Sequence, residues 1–329
     1  MPVPEPVRVV VVGGAVLDAK VRTAGEPVLG TSNPGTATSG VGGVGRNVAE
    51  NLARLGSPTV LVAAVGDDVA GRTVRARTAA AGVDVDHLVT TGLPTGTYTA
   101  VLDHRGDLLL AVADMRATDE LGTGDLAVVP ALLAGAGLLV LDGNLDVTVL
   151  RALLREADEA GVPVVLEPVS VAKATAAAPA LDDGRPVHTV TPNADELAAL
   201  TGLPVPDSVA DVRAAAEVLH ARGVERVWVR RGARGSLLSV RTPDGPPRAV
   251  LVAAPTTDVV DVTGAGDAMT AGYVHSLLAG ADVVEAARFG QVLAALTCAS
   301  PDTVRPDLTA ALVADRLTPT EPTTEELPG

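Results

Sequence analysis

Short aliphatic runs that end in polar residues or glycine recur along the chain and restrict its fold more than any other feature. The first, Val7 to Val12, is continuous and β-branched, a pattern typical of a parallel strand buried on both faces. Comparable runs occupy residues 59–65, 137–141, 163–166, 188–191 and 227–230. Because helical patterns separate them, they predict an α/β fold. We expect a doubly wound, mainly parallel sheet flanked by helices, with a site along the carboxyl ends of its strands.

Two segments interrupt this alternation. Residues 19–39 are polar, and Tyr98–Asp103 with Leu108–Val112 predict a β-hairpin. We interpret the segments at about 19–40 and 96–115 as a small β-sheet that forms a lid over a site. One domain is expected over residues 1–317. A disordered tail is expected over residues 318–329, which are rich in Pro, Thr and Glu.

The charge balance excludes some partners. The 329-residue chain has a net charge of −15, which argues against binding to nucleic acid or anionic membranes, since both need basic surface. We find no signal segment and no apolar run long enough to span a bilayer, so we expect a cytoplasmic protein. A single cysteine, Cys298, excludes an internal disulfide. It lies in an Ala/Leu helical pattern, where we expect it to be buried and inert.

The stretch from Asp261 to Asp267 carries the strongest chemical signal. Gly264 and Gly266 lie directly before an apolar run that reads as a helix. Glycines there allow a tight bend and leave backbone N–H groups exposed, so that the helix start becomes an anion site. Asp267 falls in the first turn, where a carboxylate can act as a base toward a hydroxyl group. The alternative is a glycine-rich loop with an ordinary helix cap.

A second glycine-rich stretch lies near the N-terminus. Gly40, Gly42 and Gly45 match the dinucleotide pattern G-x-G-x-x-G, but residues 36–39 before them do not form a buried strand, so we reject a dehydrogenase site. We predict a backbone surface that a small ligand approaches closely. Asn47 either caps the following helix, which we expect at Val48–Leu55, or directs its amide at that ligand.

Further polar residues follow the predicted strands. Asp18 comes after the first strand and is interpreted as a hydroxyl-binding carboxylate rather than a turn residue. Asn193 and Glu196 are three residues apart at a helix start, so they either hold hydrated Mg²⁺ or complement the helix dipole. Arg231 and Arg234 lie among glycines and either contact a phosphate or form a solvated turn. Motifs of P-loop kinases, zinc hydrolases and α/β-hydrolases are absent from the sequence.

Three motifs in order make the chain similar to the ribokinase (PfkB) family of carbohydrate kinases, over about residues 7–315. They are Gly42–Asn47, Thr191–Glu196 and Asp261–Asp267. The resemblance implies ATP-dependent phosphorylation of a primary hydroxyl, with Asp267 as base and Gly264, Ala265 and Gly266 as anion hole. It also implies sugar contacts from Asp18, Gly42, Gly43 and Asn47. The ATP contacts that it implies are Asn193, Arg231, Gly232, Gly235, Thr263, Gly264 and Gly266. It further implies Mg²⁺ bound through water by Asn193 and Glu196, and a K⁺ site at Asp261.

Other segments resemble a subgroup of this family that phosphorylates the 5′-hydroxyl of pseudouridine. They include residues 32–35, 42–52, 114–115, 142–145 and 167–173. On this basis Thr38, Met115, Asn144 and Lys173 are candidate substrate contacts. A ribokinase or another sugar or nucleoside kinase remains the alternative, and a non-catalytic sugar-sensing protein is a more distant one. The family resemblance further implies a homodimer.

Overall fold

The computed structural model describes residues 7–243, 245–317 and 324–327. Within them, nine strands form a central sheet in the order β15-β14-β13-β12-β11-β10-β9-β1-β4. These strands are β1 (Arg8–Val12), β4 (Thr59–Val62), β9 (Ala136–Asp142), β10 (Val164–Glu167), β11 (Val187–Val190), β12 (Val224–Arg230), β13 (Ser236–Thr242), β14 (Gly245–Val252) and β15 (Thr324–Leu327). In this sheet the neighbouring strands β4, β1, β9, β10, β11 and β12 pair in parallel. The pairs β12–β13, β13–β14 and β14–β15 are antiparallel. The predicted doubly wound, mainly parallel sheet is confirmed.

The continuous valine run of β1 is explained by burial on both faces. Val10 and Val12 belong to one hydrophobic core, and Val9 and Val11 belong to the core on the opposite face. Alternate side chains of a strand point to opposite faces, so both must be apolar when helices cover both sides.

Helices cover the two faces in two groups. The helices are α1 (Val44–Arg54), α2 (Val69–Ala80), α3 (Arg116–Asp119), α4 (Val129–Leu133), α5 (Val147–Ala160), α6 (Val171–Ala177), α7 (Ala194–Thr201), α8 (Val209–Ala221), α9 (Ala265–Leu278), α10 (Val283–Cys298) and α11 (Ala310–Ala314). Helices α1, α2, α9 and α10 pack on the face of Val9, and α4 to α8 pack on the face of Val10. None of the helices in the described part of the chain is long and apolar enough to cross a membrane.

A small separate sheet has the order β3-β2-β7-β8. Its strands are β2 (Val16–Thr23), β3 (Gly35–Gly42), β7 (Thr97–Leu102) and β8 (Leu108–Asp114). The predicted hairpin is therefore confirmed as β7 and β8. The predicted strand over residues 59–65 is wrong in one respect. It divides into β4 and β5 (Ala64–Gly66), because β5 pairs with β6 (Val89–Thr91) instead of continuing along β1.

The predicted disordered tail is wrong for Thr324–Leu327. This segment pairs antiparallel with β14 and extends the central sheet by one strand. A polar composition predicts disorder because little apolar surface can be buried, but an open sheet edge supplies backbone hydrogen bonds that composition does not reveal. The rest of the tail, residues 318–323 and 328–329, lies outside the described residues, as do residues 1–6.

Candidate active site

Helix α9 begins at a backbone shape that requires glycine. Gly264 is its N-cap with φ of 79°, and a side chain there would overlap the carbonyl of Thr303. The N–H of Ala265 already donates to the carbonyl of Val262 at 3.2 Å. Within residues 7–243, 245–317 and 324–327, no hydrogen bond engages the N–H groups of Gly264, Gly266 and Asp267. The free backbone donors at this helix start are therefore those three amides and not the amide of Ala265.

Asp267 is a buried carboxyl in the first turn of α9. Its Oδ2 accepts a hydrogen bond of 2.7 Å from Nδ2 of Asn47. The pKa of Asp267 is raised to about 7, chiefly by burial and also by the nearby Glu167, although the Asn47 hydrogen bond and Arg230 oppose the rise. A carboxyl with this pKa is partly ionised at neutral pH and can take up a proton there.

Asn47 is oriented by an arginine that sequence reasoning missed. The guanidinium of Arg46 donates to Oδ1 of Asn47, to the carboxylate of Glu50 and to the carbonyl of Gly42. With Oδ1 occupied, Nδ2 of Asn47 faces Asp267. We call Arg46, Asn47, Glu50 and Asp267 the Asp267 cluster. Arg46 is only 1% exposed. A sequence does not show that a charged side chain is buried, so sequence reasoning missed this residue.

The start of α1 differs from the prediction. The helix begins at Val44 with Gly43 as its N-cap, so Asn47 lies inside the first turns and is not the cap. Gly43 has φ of 95° and packs against the carbonyl of Gly14. The Gly40–Gly45 stretch joins β3 of the small sheet to α1, which agrees with the rejection of a dinucleotide fingerprint.

Asp18 lies in β2 of the small sheet, opposite Gly40, and not in the loop after β1. Its carboxylate packs against Gly42, where a side chain would overlap it. Burial raises the pKa of Asp18, and Arg46 and Lys20 oppose the rise. Asp18 and the exposed Thr38 line the same cavity of about 530 Å³, which Arg46 of the Asp267 cluster also borders. The structure thus joins two predicted substrate residues to the cluster.

Met115 and Asn144 meet at Gly14, which the sequence analysis did not select. A Cβ on Gly14 would lie 3.0 Å from Nδ2 of Asn144 and 3.4 Å from Cε of Met115. Lys173 is placed differently. It forms an ion pair of 3.6 Å with Asp119 of α3, and no hydrogen bond in the described part of the chain joins it to the Asp267 cluster.

Asp142, at the end of β9, connects these loops and was also missed. Its Oδ2 accepts the N–H groups of Gly14 and Gly45, each at 2.8 Å, and its Oδ1 accepts the N–H of Asn144 at 3.0 Å. Burial raises the pKa of Asp142, and these backbone donors oppose the rise. One carboxyl therefore holds together the loop after β1, the start of α1 and the loop after β9. Its position at the carboxyl end of a predicted strand was the available signal.

A second cavity of about 530 Å³, which we call the apolar cavity, is lined by Ala265, Gly266 and Met269, which flank Asp267 in the chain. Its walls also include Val259, Val262, Ala294, Gly232 and Gly235. Gln291 borders this cavity too. Its side chain is buried, and its Oε1 has no hydrogen-bond partner among the residues that the structure describes.

Four of the predicted nucleotide contacts, Asn193, Arg231, Thr263 and Gly264, do not line the apolar cavity, whereas Gly232, Gly235 and Gly266 do. The N–H of Arg231 closes the turn by donating to the carbonyl of Gly235. The hydroxyl and N–H of Thr263 both donate to Asp261, at 2.6 and 2.8 Å. Cys298 borders this cavity and is partly exposed, not buried as expected.

Asn193 and Glu196 form a reciprocal capping box at the start of α7. Oδ1 of Asn193 accepts the N–H of Glu196, and Oε2 of Glu196 accepts the N–H of Asn193, both at 2.9 Å. Oε2 of Glu196 also accepts a hydrogen bond from Arg230. Among the described residues, no group of three or more His, Cys, Asp or Glu side chains could hold a metal ion. The pair therefore fits Mg²⁺ only through water, which suits an ion that retains several waters and binds chiefly to phosphates.

Asp261 has a cation beside it already. Nζ of Lys20, from β2 of the small sheet, lies 2.7 Å from Oδ2 of Asp261. Burial raises the pKa of Asp261, but the hydrogen bonds from Lys20 and Thr263 outweigh it and leave that pKa below its ordinary value. The predicted K⁺ site is thus a carboxylate that a lysine from the small sheet neutralises.

Comparisons with known proteins agree with this architecture. The profile of pfkB family carbohydrate kinases matches residues 7–310. The chain is 33% identical to the pseudouridine kinase of Escherichia coli over 306 residues, which cover 93% of this chain and 95% of that protein. A carbohydrate kinase from Agrobacterium tumefaciens superposes with a TM-score of 0.82 at 31% identity, covering 98% of this chain and all of its own.

A ribokinase of Arabidopsis thaliana, solved in complex with ribose and ATP, superposes with a TM-score of 0.79 at 25% identity. The match covers 94% of this chain and 97% of the ribokinase. Together with the profile match over nearly the whole chain, these likenesses show that the protein belongs to the pfkB family of carbohydrate kinases.

Proposed function

We propose that this sugar or nucleoside kinase transfers the γ-phosphoryl group of ATP to the 5′-hydroxyl of pseudouridine. The observation that carries the reaction type is the position of Asp267. Its chain neighbours Ala265 and Gly266 border the apolar cavity, and Arg46 and Glu50 of its cluster border the cavity of Asp18. Asp267 also lies beside free backbone amides, and its pKa is raised to about 7, chiefly by burial. A base and an anion site at one helix start are the two elements that phosphoryl transfer to an alcohol needs.

Each group of residues has a separate role in the proposed reaction. The carboxylate of Asp267 takes the proton of the attacking hydroxyl, and Asn47 holds that carboxylate in place. The amides of Gly264, Gly266 and Asp267, at the positive end of the α9 dipole, stabilise negative charge on the moving group. When bound, Mg²⁺ would neutralise phosphate charge, with Asn193 and Glu196 orienting its waters. The apolar cavity accommodates the adenine ring against Gly232 and Gly235.

The residues around the cavity of Asp18 support the choice of acceptor. Asp18, with the glycine backbone of Gly42 and Gly43, suits ribose hydroxyls because carboxylates accept their hydrogen bonds. Asn144 and Met115 converge at Gly14, where an amide and a flexible apolar side chain can contact a base. The 33% identity to a pseudouridine kinase supports this choice. Ribokinase activity is the second candidate, supported by the likeness to the Arabidopsis ribokinase in complex with ribose and ATP.

Two further properties belong to the proposal. Asp261 is a candidate for K⁺ binding, in competition with Lys20. Leu108, Leu109 and Leu110 on β8 are exposed, and such an apolar strand supports a homodimer formed through the small sheet. A sensing protein without catalysis is disfavoured, because sensing does not require a base of this pKa.

The test is a comparison of kcat/KM for pseudouridine, uridine and ribose with ATP and Mg²⁺. We expect pseudouridine to exceed both others by at least about tenfold, which is about 1.4 kcal/mol of discrimination. Preference for ribose would replace the proposal by ribokinase activity. Ligand binding without phosphorylation of any acceptor would favour a sensor.

A further inference from the structure

We propose that Arg230 contacts the phosphoryl group during its transfer, as a catalytic residue in addition to the amides at the start of α9. This inference rests on the proposed function, since it assigns a role within the same phosphoryl transfer. Arg230 is the last residue of β12 and borders the apolar cavity together with Gly266.

Two buried carboxylates hold the guanidinium in one orientation. Nη1 and Nη2 of Arg230 donate to the two oxygens of Glu167 at 3.0 and 2.7 Å, and Nη2 also donates to Glu196 at 2.9 Å. Glu167 is itself fixed by the hydroxyls of Thr191 and Thr270. A guanidinium held by a two-pronged contact has lost most of its rotational freedom before a ligand binds.

Part of the guanidinium is free and lies beside the start of α9. An arginine side chain has five N–H donors, and the carboxylates use three of them. No hydrogen bond in the described part of the chain engages the other Nη1 proton or the Nε proton. Nη1 packs directly against Gly266, where a side chain would overlap it. Glycine at this position thus exposes an amide and also makes room for the cation.

Arg230 is already held in its charged form. Burial lowers its pKa, but Glu167, Glu196 and Asp267 outweigh burial and keep that pKa above its ordinary value. Its position beside the first turn of α9 adds a cation to the positive end of the helix dipole, where anions are favoured. A phosphoryl group placed there would accept hydrogen bonds from the amides and from Arg230 together, and charge-assisted bonds of this kind strengthen as negative charge develops.

The decisive variant is Arg230→Lys, which retains the positive charge but cannot make the two-pronged contact of a guanidinium. We expect kcat to fall about 100-fold, because arginine contacts to a transferring phosphoryl group contribute at least this much. We expect the affinity for the imido analogue of ATP to fall about tenfold while the affinity for ADP changes less than about twofold, because only the former carries the γ-phosphoryl group. Arg226→Lys, on the same strand but away from the cavity, is the matched control.

Equal losses for ADP and the imido analogue, or a kcat within about threefold of the wild type, would overturn the inference. If Arg230→Lys does not fold, Arg230→Met combined with Glu167→Gln removes one charge of each sign and is compared with Glu167→Gln alone. The ratio of the two nucleotide affinities does not depend on the acceptor. A wild-type enzyme that transfers phosphate to none of the acceptors would therefore defeat the proposed function while this measurement still reports on Arg230.

Discussion

The polar groups of the Asp267 cluster and two groups beside the apolar cavity differ in whether their hydrogen bonds are made. On the side of the Asp267 cluster, Arg46, Asn47 and Asp142 bind neighbouring side chains and backbone amides. On the side of the apolar cavity, Oε1 of Gln291 and the amide of Gly266 have no partner among the described residues. A buried polar group without a partner is unfavourable until a ligand supplies one.

The difference indicates two kinds of site. The Asp267 cluster is organised before any ligand arrives, so under the proposed function an incoming hydroxyl would meet a base of defined orientation. The apolar cavity is bordered by groups whose hydrogen bonds are not made. The pKa of Asp267 reflects both groups of residues, since Asn47 of the cluster and Arg230 of the apolar cavity both oppose the rise that burial causes.

The largest effect is expected from Asp267→Asn. The amide retains the shape but cannot accept a proton, so we expect kcat to fall about 10²- to 10⁴-fold. Steady-state kinetics with the best acceptor measures the change, and circular dichroism checks the fold. Asp207→Asn, at an exposed position, should leave the rate unchanged. A variant within a few-fold of wild type would remove Asp267 from the role of base.

The pH dependence of the rate tests the raised pKa of Asp267. Since the pKa of Asp267 is about 7, its protonated, inactive form dominates at lower pH. We expect kcat/KM to fall about tenfold for each pH unit below 7 and to level off above it. Folding should respond too. The folded pKa lies above the ordinary value of 3.8, so ionisation destabilises the fold as pH rises from about 4 to about 7.

Asp267→Asn removes that ionisation and provides the check. Relative to wild type, the variant should gain stability between about pH 4 and 7, measured as the shift in Tm across this range. A rate profile that is flat down to pH 5, or a Tm difference that does not change with pH, would show that Asp267 is not the buried carboxyl described here.

A smaller effect is expected from Gln291→Met. Loss of the unpaired Oε1 removes a buried acceptor, so the ligand-free protein should be as stable or more stable, whereas KM for ATP should rise about tenfold. Thr297→Val is the control, because its hydroxyl in the same helix is also buried without a partner among the described residues but does not line the apolar cavity. If both variants left KM unchanged, Gln291 would have no role in binding the nucleotide.

The smallest effect is expected from Lys20→Met. Its ion pair with Asp261 is partly exposed, with side-chain exposures of 36% and 28%, and such pairs contribute less than about 1 kcal/mol. Loss of the ammonium leaves Asp261 open to K⁺, so the ratio of activities with and without K⁺ should increase. Arg72→Met removes a more exposed pair with Asp67 and should not change this ratio. An unchanged ratio in Lys20→Met would argue against a K⁺ site at Asp261.

Sequence reasoning succeeded where the relevant physics is local. The apolar strand runs, the glycine at the N-cap of α9 and the hairpin of β7 and β8 depend on neighbours within a few residues. It failed for Arg46, whose hydrogen-bond partners are local, because a sequence does not show that the side chain is buried. It failed for Asp142 and Arg230 because key partners are distant along the chain. The partners of Asp142 are 128 and 97 residues away along the chain, and Arg230 meets Glu167 63 residues away.

The same reasoning applies at β15, where the polar segment Thr324–Leu327 forms a strand only because β14 leaves an edge beside it. The amino-acid sequence by itself determined the aliphatic strands of the central sheet, and that α9 starts with glycines and an acid, since backbone preference and side-chain periodicity are local properties. The tertiary structure alone decided which charges are buried together. Burial removes water from a group, and its pKa and orientation then depend on whichever distant residues replace that water.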